Sequence, residues 1–501
     1  MNRTLRLWIG VGLLFGWWRP LAAEPLSAAD GFRGIWYFNQ RIGEPYVFKY
    51  SGGLGTYCAK HQPFAVYCAE VEKTFFCYGG VPQDFLERFD RELNGRALDG
   101  ARVEGGLLHM VSYFDHRTGQ VARPRILMDK RTLDAHDNPV ITVDGQGHLW
   151  IYSTAHGTSR PAYVSRSVRP YDIREFERIT PERLVAGGAQ PITNFSYMQA
   201  WSLGETGFAH FFTQYSGGRQ TRFSYSPDGH SWSWVELAAM ERGHYQISAA
   251  SETTLATAFN YHPAAFQGNP DESGLNWRTN LYYMESPDRG ETWRSIDGVK
   301  IEVPERDPAS PTLVHNYERE GLLVYLKDIG FDPQGRPVIL FVTSKGFASG
   351  PQNGPRIWRL ARWTGSQWRI TSITTSDNNY DMGSLYIESD DRLRIIAPTE
   401  TGPQPFNPGG EVVMWESLDG GQTWQMRRRL TEASAHNHTY VRRPVNAHPD
   451  FYAFWADGHG RRPSTSSLYF SNRDGDVFRL PGTMDGADAP PILLPSMGAA
   501  N

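Results

Sequence analysis

Short runs of apolar, aromatic and β-branched residues recur along this chain, some alternating with polar positions, with turns of Gly, Asp, Asn or Pro between them. A period of two is the signature of a strand with one buried face. Ala65–Val71 followed by Lys73–Gly80 reads as a hairpin. Asp134–Val143 and His148–Gly157 read as another, turning at Asp144-Gly145-Gln146-Gly147. Pairing Val143 with Leu149 and Ile141 with Ile151 makes one continuous apolar face, and sets His136 opposite His156 at the open end. A slip of one residue would invert that face, so the pattern specifies the register. Gly243–Ser248 and Leu255–His262 form a third hairpin about a turn near Thr253, with His244 expected opposite His262.

A longer period lies over the short one. Ser286-Pro287-Asp288-Arg289-Gly290-Glu291-Thr292-Trp293 recurs as Ser417-Leu418-Asp419-Gly420-Gly421-Gln422-Thr423-Trp424. A shorter copy starts at Ser226 and a degenerate one at Ser471. These are Asp-boxes, turns in which a carboxylate accepts backbone N–H bonds, Gly takes positive φ and Trp packs beneath. The starts are 60, 131 and 54 residues apart, so one copy is missing from the middle gap and is expected near Ser344–Trp358. Weak counterparts near Tyr113–Pro124 and Ser165–Phe176 bring the total to seven units of roughly 60 residues. Periodic strand units with Gly/aromatic turns predict an all-β protein, a seven-bladed β-propeller filling residues 24–501 as one domain.

Composition agrees. The 501 residues include 66 aromatics and 50 Gly, with 50 Lys+Arg against 54 Asp+Glu, a formal charge of −4. A protein built to hold nucleic acid would carry a basic stripe, so that class is set aside. Arg3 and Arg6 precede an apolar run, Leu7–Trp18, and Leu21-Ala22-Ala23 offers a cleavage site. Residues 1–23 therefore read as a secretory signal, too short to span a bilayer, and a secreted or periplasmic monomer without a membrane span is expected. Cys58, Cys68 and Cys77 cannot all pair with one another, so no disulfide framework is expected.

In a propeller the open ends of the inner hairpins converge on one face. His136 and His156, His244 and His262, Asn378-Asn379-Tyr380-Asp381 and His436-Asn437-His438 all stand at such ends. Histidine suits proton transfer near neutrality, although paired imidazoles also bind metals. Tyr197, Tyr245 and Tyr261 lie near these clusters, with Arg219, Arg222 and Arg278. A His base, a Tyr acid and an Arg clamp on a carboxylate suit proton abstraction beside an acid group. No phosphate loop or nucleophile elbow is present. Asp381 and Glu400 flank one hairpin mouth and are the candidate pair for a glycoside hydrolase.

Several stretches resemble the BNR-4 group of sialidase-like repeat proteins. They are Tyr50-Ser51-Gly52-Gly53-Leu54-Gly55-Thr56-Tyr57, Gly243-His244-Tyr245-Gln246, Arg278-Thr279-Asn280-Leu281-Tyr282-Tyr283, Tyr380-Asp381-Met382-Gly383 and His438-Thr439-Tyr440-Val441-Arg442-Arg443-Pro444. The resemblance implies a secreted propeller akin to lyases that cleave ulvan-type or rhamnose–glucuronate linkages by β-elimination. It implies His136, His156, Tyr197 and Arg219 as catalytic residues, with Gln214 standing where an Arg is expected. Substrate contacts are expected from His244, Tyr245, His262, Arg278, Asn280, Tyr380, Asp381 and His438. The sequence requires no cofactor, is compatible with a structural divalent cation, and leaves the metal question open. The alternatives are a carbohydrate-binding propeller without catalysis and a glycoside hydrolase. The stretch Phe32-Arg33-Gly34-Ile35-Trp36 lacks the Arg-Ile-Pro element of true sialidases.

Overall fold

The computed structural model describes residues 25–34, 41–50, 55–82, 106–132, 134–186, 188–462 and 464–495; the signal-like residues 1–23 lie outside them. Among the described residues there is no α-helix, only five short 3-10 turns. No helix there is long and apolar enough to cross a membrane.

Seven antiparallel sheets follow one another along the chain and make the seven blades of a propeller. The first strands of successive blades are Ala65–Cys68, Pro139–Val143, Ser196–Ser202, Gln246–Ala250, Leu323–Phe331, Ser384–Ile387 and Asn437–Arg442. Each packs on its neighbour around the ring, and their buried apolar residues join clusters that span adjacent blades. Chain direction fixes two faces. The connections into each first strand and between second and third strands share one face; the other two turns of each blade share the opposite face.

The ring closes where blade 7 meets blade 1. Val445 accepts from the Tyr67 N–H at 3.0 Å and donates to Ala65 O at 2.9 Å. Phe451 stacks on Phe76 with centroids 5.7 Å apart, and Phe114 packs on Phe470 at 5.3 Å. After blade 7, Asp488–Ala489 returns to pair with Val121 and Ala122 of blade 1.

The Asp-boxes sit in the turns between third and fourth strands. In blade 4 the Asp288 carboxylate accepts the Thr292 N–H at 2.8 Å, and Gly290 has φ 89°. A Cβ on Gly290 would lie 1.9 Å from the Phe223 ring of blade 3, and one on Gly229 would lie 2.3 Å from Trp150 of blade 2. The glycine is therefore also the point at which one blade touches the preceding one.

Two expectations are corrected. The middle copy of the repeat is not at Ser344–Trp358, which joins the second and third strands of blade 5 on the other face. Its place is taken by the Trp363–Trp368 turn, where the Thr364 N–H bonds Gln367 O at 3.0 Å without an Asp carboxylate. The register of the 134–157 hairpin is as read, Val143 to Leu149 and Ile141 to Ile151. The blade 4 hairpin is shifted by one residue, with Gln246 opposite Phe259. Ser251 Oγ accepts from Thr253 and Thr254, closing a four-residue turn over 251–254 that moves the centre of the hairpin.

Cys58, Cys68 and Cys77 are free and buried. Burial pushes the Cys58 and Cys68 thiols up to about 12, so both stay neutral.

Candidate active site

The site is built outward from Asp134. This residue caps a 3-10 turn, Ala135–Asp137, by accepting the His136 N–H at 2.9 Å. The cap brings Asp134 Oδ1 within 2.6 Å of His136 Nδ1, while Oδ2 lies 2.7 Å from His156 Nδ1. His156 follows the second strand of blade 2, and its backbone N–H is held by Asp137 Oδ1 at 2.5 Å. The imidazoles stack with centroids 4.3 Å apart, as the hairpin pairing implied. A carboxylate only accepts, so each ring carries its proton on Nδ1 and presents the lone pair of Nε2.

The two rings differ in their surroundings. His136 Nε2 meets the Tyr57 hydroxyl at 3.0 Å in a buried position. His156 keeps 28% of its side chain exposed, and its Nε2 lies 3.2 Å from the Tyr197 hydroxyl and 3.1 Å from that of Tyr215. Burial works against a charge on His156, but the hydrogen bond and charge of Asp134 outweigh it and raise its pKa above the ordinary histidine value. For His136 burial wins, helped by the charge of its neighbour, and its pKa is lowered. Asp134 is held well below the usual carboxylate range: burial opposes this, and His136 with the two ring hydrogen bonds overcomes it.

Tyr197 reaches His156 because the first strand of blade 3 bulges. The register breaks between Ser196 and Gln199, and Tyr197 has φ 52°. Bulges of this kind re-aim a side chain. Burial raises the Tyr197 pKa well above the ordinary phenol value, so it keeps its proton. Tyr215 ends the second strand of the same blade and pairs with Arg219, which begins the third. The Arg219 guanidinium lies 5.8 Å from the Tyr215 ring centroid and 4.7 Å from that of Tyr245, and its Nε has no protein partner. Gln214, in the ladder beside it, holds the Arg222 Nε at 3.1 Å instead.

Tyr215, Arg219, Arg242, His262 and Gly157 line an open cleft of about 440 Å³. Tyr245 packs between Tyr197 at 5.6 Å and His262 at 5.4 Å. Arg278 lies under the cleft, 4.7 Å from the Tyr245 ring and 4.8 Å from that of Tyr325, and donates to the Tyr380 hydroxyl at 3.3 Å. The structure therefore brings His136, His156, Tyr197, Arg219, Tyr245, His262, Arg278 and Tyr380 into one connected cluster.

Four expected contacts are turned elsewhere. The one-residue shift in blade 4 puts His244 on the face away from His262; it accepts the Met240 N–H and reaches Asn260 O at 2.9 Å. Asn280 Oδ1 holds the Glu318 N–H at 2.8 Å. Asp381 is buried, accepting Gly409 N–H at 2.7 Å and Asn378 N–H at 3.0 Å. Both ring nitrogens of His438 are engaged, with Trp455 Nε1 and Ser434 Oγ, each at 3.0 Å. Glu400, the other half of the carboxylate pair, is clamped by Arg429 at 2.9 Å.

Asp134, Tyr57 and Tyr215 are the residues that sequence reasoning did not single out. The Asp134-Ala135-His136 spacing is a recognisable cap, and Tyr215 is the strand partner of Arg219. Tyr57 closes the Tyr50–Tyr57 stretch that carries the resemblance, but nothing in that stretch announces its contact with His136; it arrives from the segment before blade 1.

A metal at the Asp134–His136–His156 cluster is disfavoured by these distances. Ligand atoms sharing a tetrahedral zinc with bonds of 2.0–2.1 Å stand about 3.3 Å apart. Here nitrogen and oxygen are 2.6 and 2.7 Å apart, the spacing of direct hydrogen bonds.

Comparison with known proteins agrees with this architecture. A curated ulvan lyase from Nonlabens ulvanivorans is 21% identical over 355 residues, covering 64% of this chain and 70% of its own length. Among solved structures, the PL25 ulvan lyase aligns with a TM-score of 0.65 at 16% identity, over 90% of this chain and 97% of its own. That lyase has also been solved bound to a glucuronic acid–(1-4)–rhamnose 3-sulfate unit. The polysaccharide lyase Uly1 aligns with a TM-score of 0.57 at 11% identity, over 91% and 99% of the two chains. The description of a BNR repeat-containing family member matches residues 109–376, more than half of the sequence, from the third strand of blade 1 to the last strand of blade 5. The chain belongs to the BNR repeat-containing family.

Proposed function

We propose that this protein is an exported polysaccharide lyase that cleaves a uronic-acid-containing glycan by β-elimination. The observation that carries the reading is the Asp134-bridged histidine pair, with Tyr197, Tyr215 and Arg219 within reach of one cleft.

His156 is the base. Its Nε2 lone pair, met by the hydroxyls of Tyr197 and of the cleft-lining Tyr215, takes the proton from C5 of the uronate. The Asp134 carboxylate fixes the tautomer that makes this nitrogen basic and stabilises the imidazolium that forms. Charge then develops on the uronate carboxylate. Arg219, whose Nε is unpartnered and whose guanidinium stacks on two phenol rings, neutralises it. The C4–O bond breaks, the electron pair of the C5–H bond forms the C4–C5 double bond, and Tyr197 gives its proton to the departing oxygen. His136 supports the pair through Asp134 and Tyr57.

The resemblance to ulvan lyases, one of them solved with a glucuronate–rhamnose unit, supports a glucuronate glycan as the substrate class. The hydrolase alternative loses support because Asp381 and Glu400 are already committed. Incubation with ulvan, gum arabic and related glucuronates, with a neutral glucan as control, tests the reading. An ultraviolet absorbance from unsaturated uronate with the acidic glycans alone is expected; none across the panel, with binding retained, would leave a sugar-binding propeller.

A further inference from the structure

We propose that His116, His448 and Asp450 form a binding site for a zinc-type dication that pins blade 1 to blade 7 on the face opposite the cleft. His116 lies in the turn after the third strand of blade 1, and His448 and Asp450 in the turn after the first strand of blade 7. The residues are more than three hundred positions apart in the chain and meet only because the ring closes.

The imidazole centroids of His116 and His448 are 3.9 Å apart, with the Tyr67 ring against both at 5.2 and 4.8 Å. His116 Nε2 is engaged by Thr74 Oγ1 at 2.8 Å, which orients the ring as an outer partner of a metal ligand would. Its Nδ1 has no hydrogen-bond partner although the side chain is only 4% exposed. An orphaned buried nitrogen is uncommon and calls for a ligand. That nitrogen is 3.9 Å from Asp450 Oδ2, and His448 Nδ1 is 3.7 Å from the same oxygen. The Asp450 N–H donates to His448 Nδ1 at 3.2 Å, so that nitrogen is unprotonated, and an ion would take the place of this bond.

The cluster at Asp134 has the same composition but is drawn shut by hydrogen bonds of 2.6 and 2.7 Å. The cluster at Asp450 is open: its spacings exceed the roughly 3.3 Å between ligands on one tetrahedral zinc, leaving room for an ion after a small closure. Asp450 is 64% exposed, which gives the ion an entry path and a water in the fourth position. Two imidazoles and one carboxylate suit zinc or its first-row neighbours better than calcium or magnesium.

The test uses the full chain, stripped with chelator and titrated with zinc chloride. One equivalent should bind. The melting temperature should rise by about 3 °C at a hundredfold excess over Kd, because the ion binds only the closed ring. Cobalt in its place should give the visible bands of a four-coordinate site. H448A and D450N, both on the face away from the cleft, should lose the binding and the thermal shift while turning over substrate as before. Equal binding and shift in those variants, or no zinc binding at micromolar concentration, would overturn the site. So would a thermal shift abolished by H156A instead, which would put the ion in the cleft.

Discussion

Asp134 donates nothing to a substrate, yet the chemistry rests on it. Both histidines donate an Nδ1–H bond to it, so replacing it with Asn leaves one acceptor oxygen for two rings and sets a donor against the other Nδ1–H. D134N should lower kcat about 10²–10⁴-fold with little change in KM, the usual range for losing a well-poised general base. The pH dependence follows from the same contact. His156 must be unprotonated to act, and its pKa is raised, so kcat/KM should fall as pH drops through a value above the ordinary 6.5. With the Asp134 charge gone, burial and the Arg219 charge are opposed by the smaller pull of Asp137, and the acid limb should move to lower pH. A pH–rate profile of wild type and D134N checks both the limb and its shift. Two phenols share His156 Nε2, at 3.2 and 3.1 Å. If Tyr197 is the acid, Y197F should lose most of the turnover and Y215F should chiefly raise KM; the reverse pattern would move the role to Tyr215.

At the scale of the strand and turn, local rules carried far but had a limit. The 134–157 hairpin was legible because Asp144-Gly145-Gln146-Gly147 leaves one way to centre the turn, and the apolar face agrees with it. In blade 4 the turn Ser251-Glu252-Thr253-Thr254 has no Gly, and Ser251 closes it with its own hydroxyl. Small alanines and threonines on both faces did not penalise a slip of one residue. That slip is why His244 was expected in the cleft and is instead bonded inside its blade. Tyr197 depends on a bulge with a positive φ, which no period-of-two pattern predicts. The Asp-box turns were legible, but their second role, contact with the preceding blade, required the assembled ring. G290A should therefore lower stability by roughly 2 kcal/mol or more, since its Cβ would collide with the Phe223 ring as well as strain the backbone. G298A, at a similar φ of 82° but with open space around it, is the control for backbone strain alone. Thermal unfolding of the two variants separates the terms, and turnover by G290A should be unchanged because the turn is on the face away from the cleft.

Across the whole molecule, seven blades could be counted from repeat spacing and the hairpin mouths expected on one face, whereas the contacts of Tyr57 with His136 and of Tyr215 with His156 could not be read. Contacts between blades belong to the closed ring and leave no local pattern. Closure itself depends on aromatic packing between blades 7 and 1. Phe451 is fully buried and stacks on Phe76 and Phe470, with centroids 5.7 and 4.4 Å away. F451A should cost about 3–5 kcal/mol, read as an earlier midpoint in urea unfolding. Loss of activity should follow unfolding and not precede it, because Phe451 lies in the turn between the first two strands of blade 7, on the face away from the cleft.

The central claim is elimination with His156 as base, and product mass tests it most directly. Digestion of a glucuronate-containing polysaccharide by the wild type should release oligosaccharides whose new ends carry a C4–C5 double bond and no added water. H156A, folded and still binding the glycan, should release almost none. Products that have gained a water at each new end, or unsaturated products formed equally fast by H156A, would contradict the account.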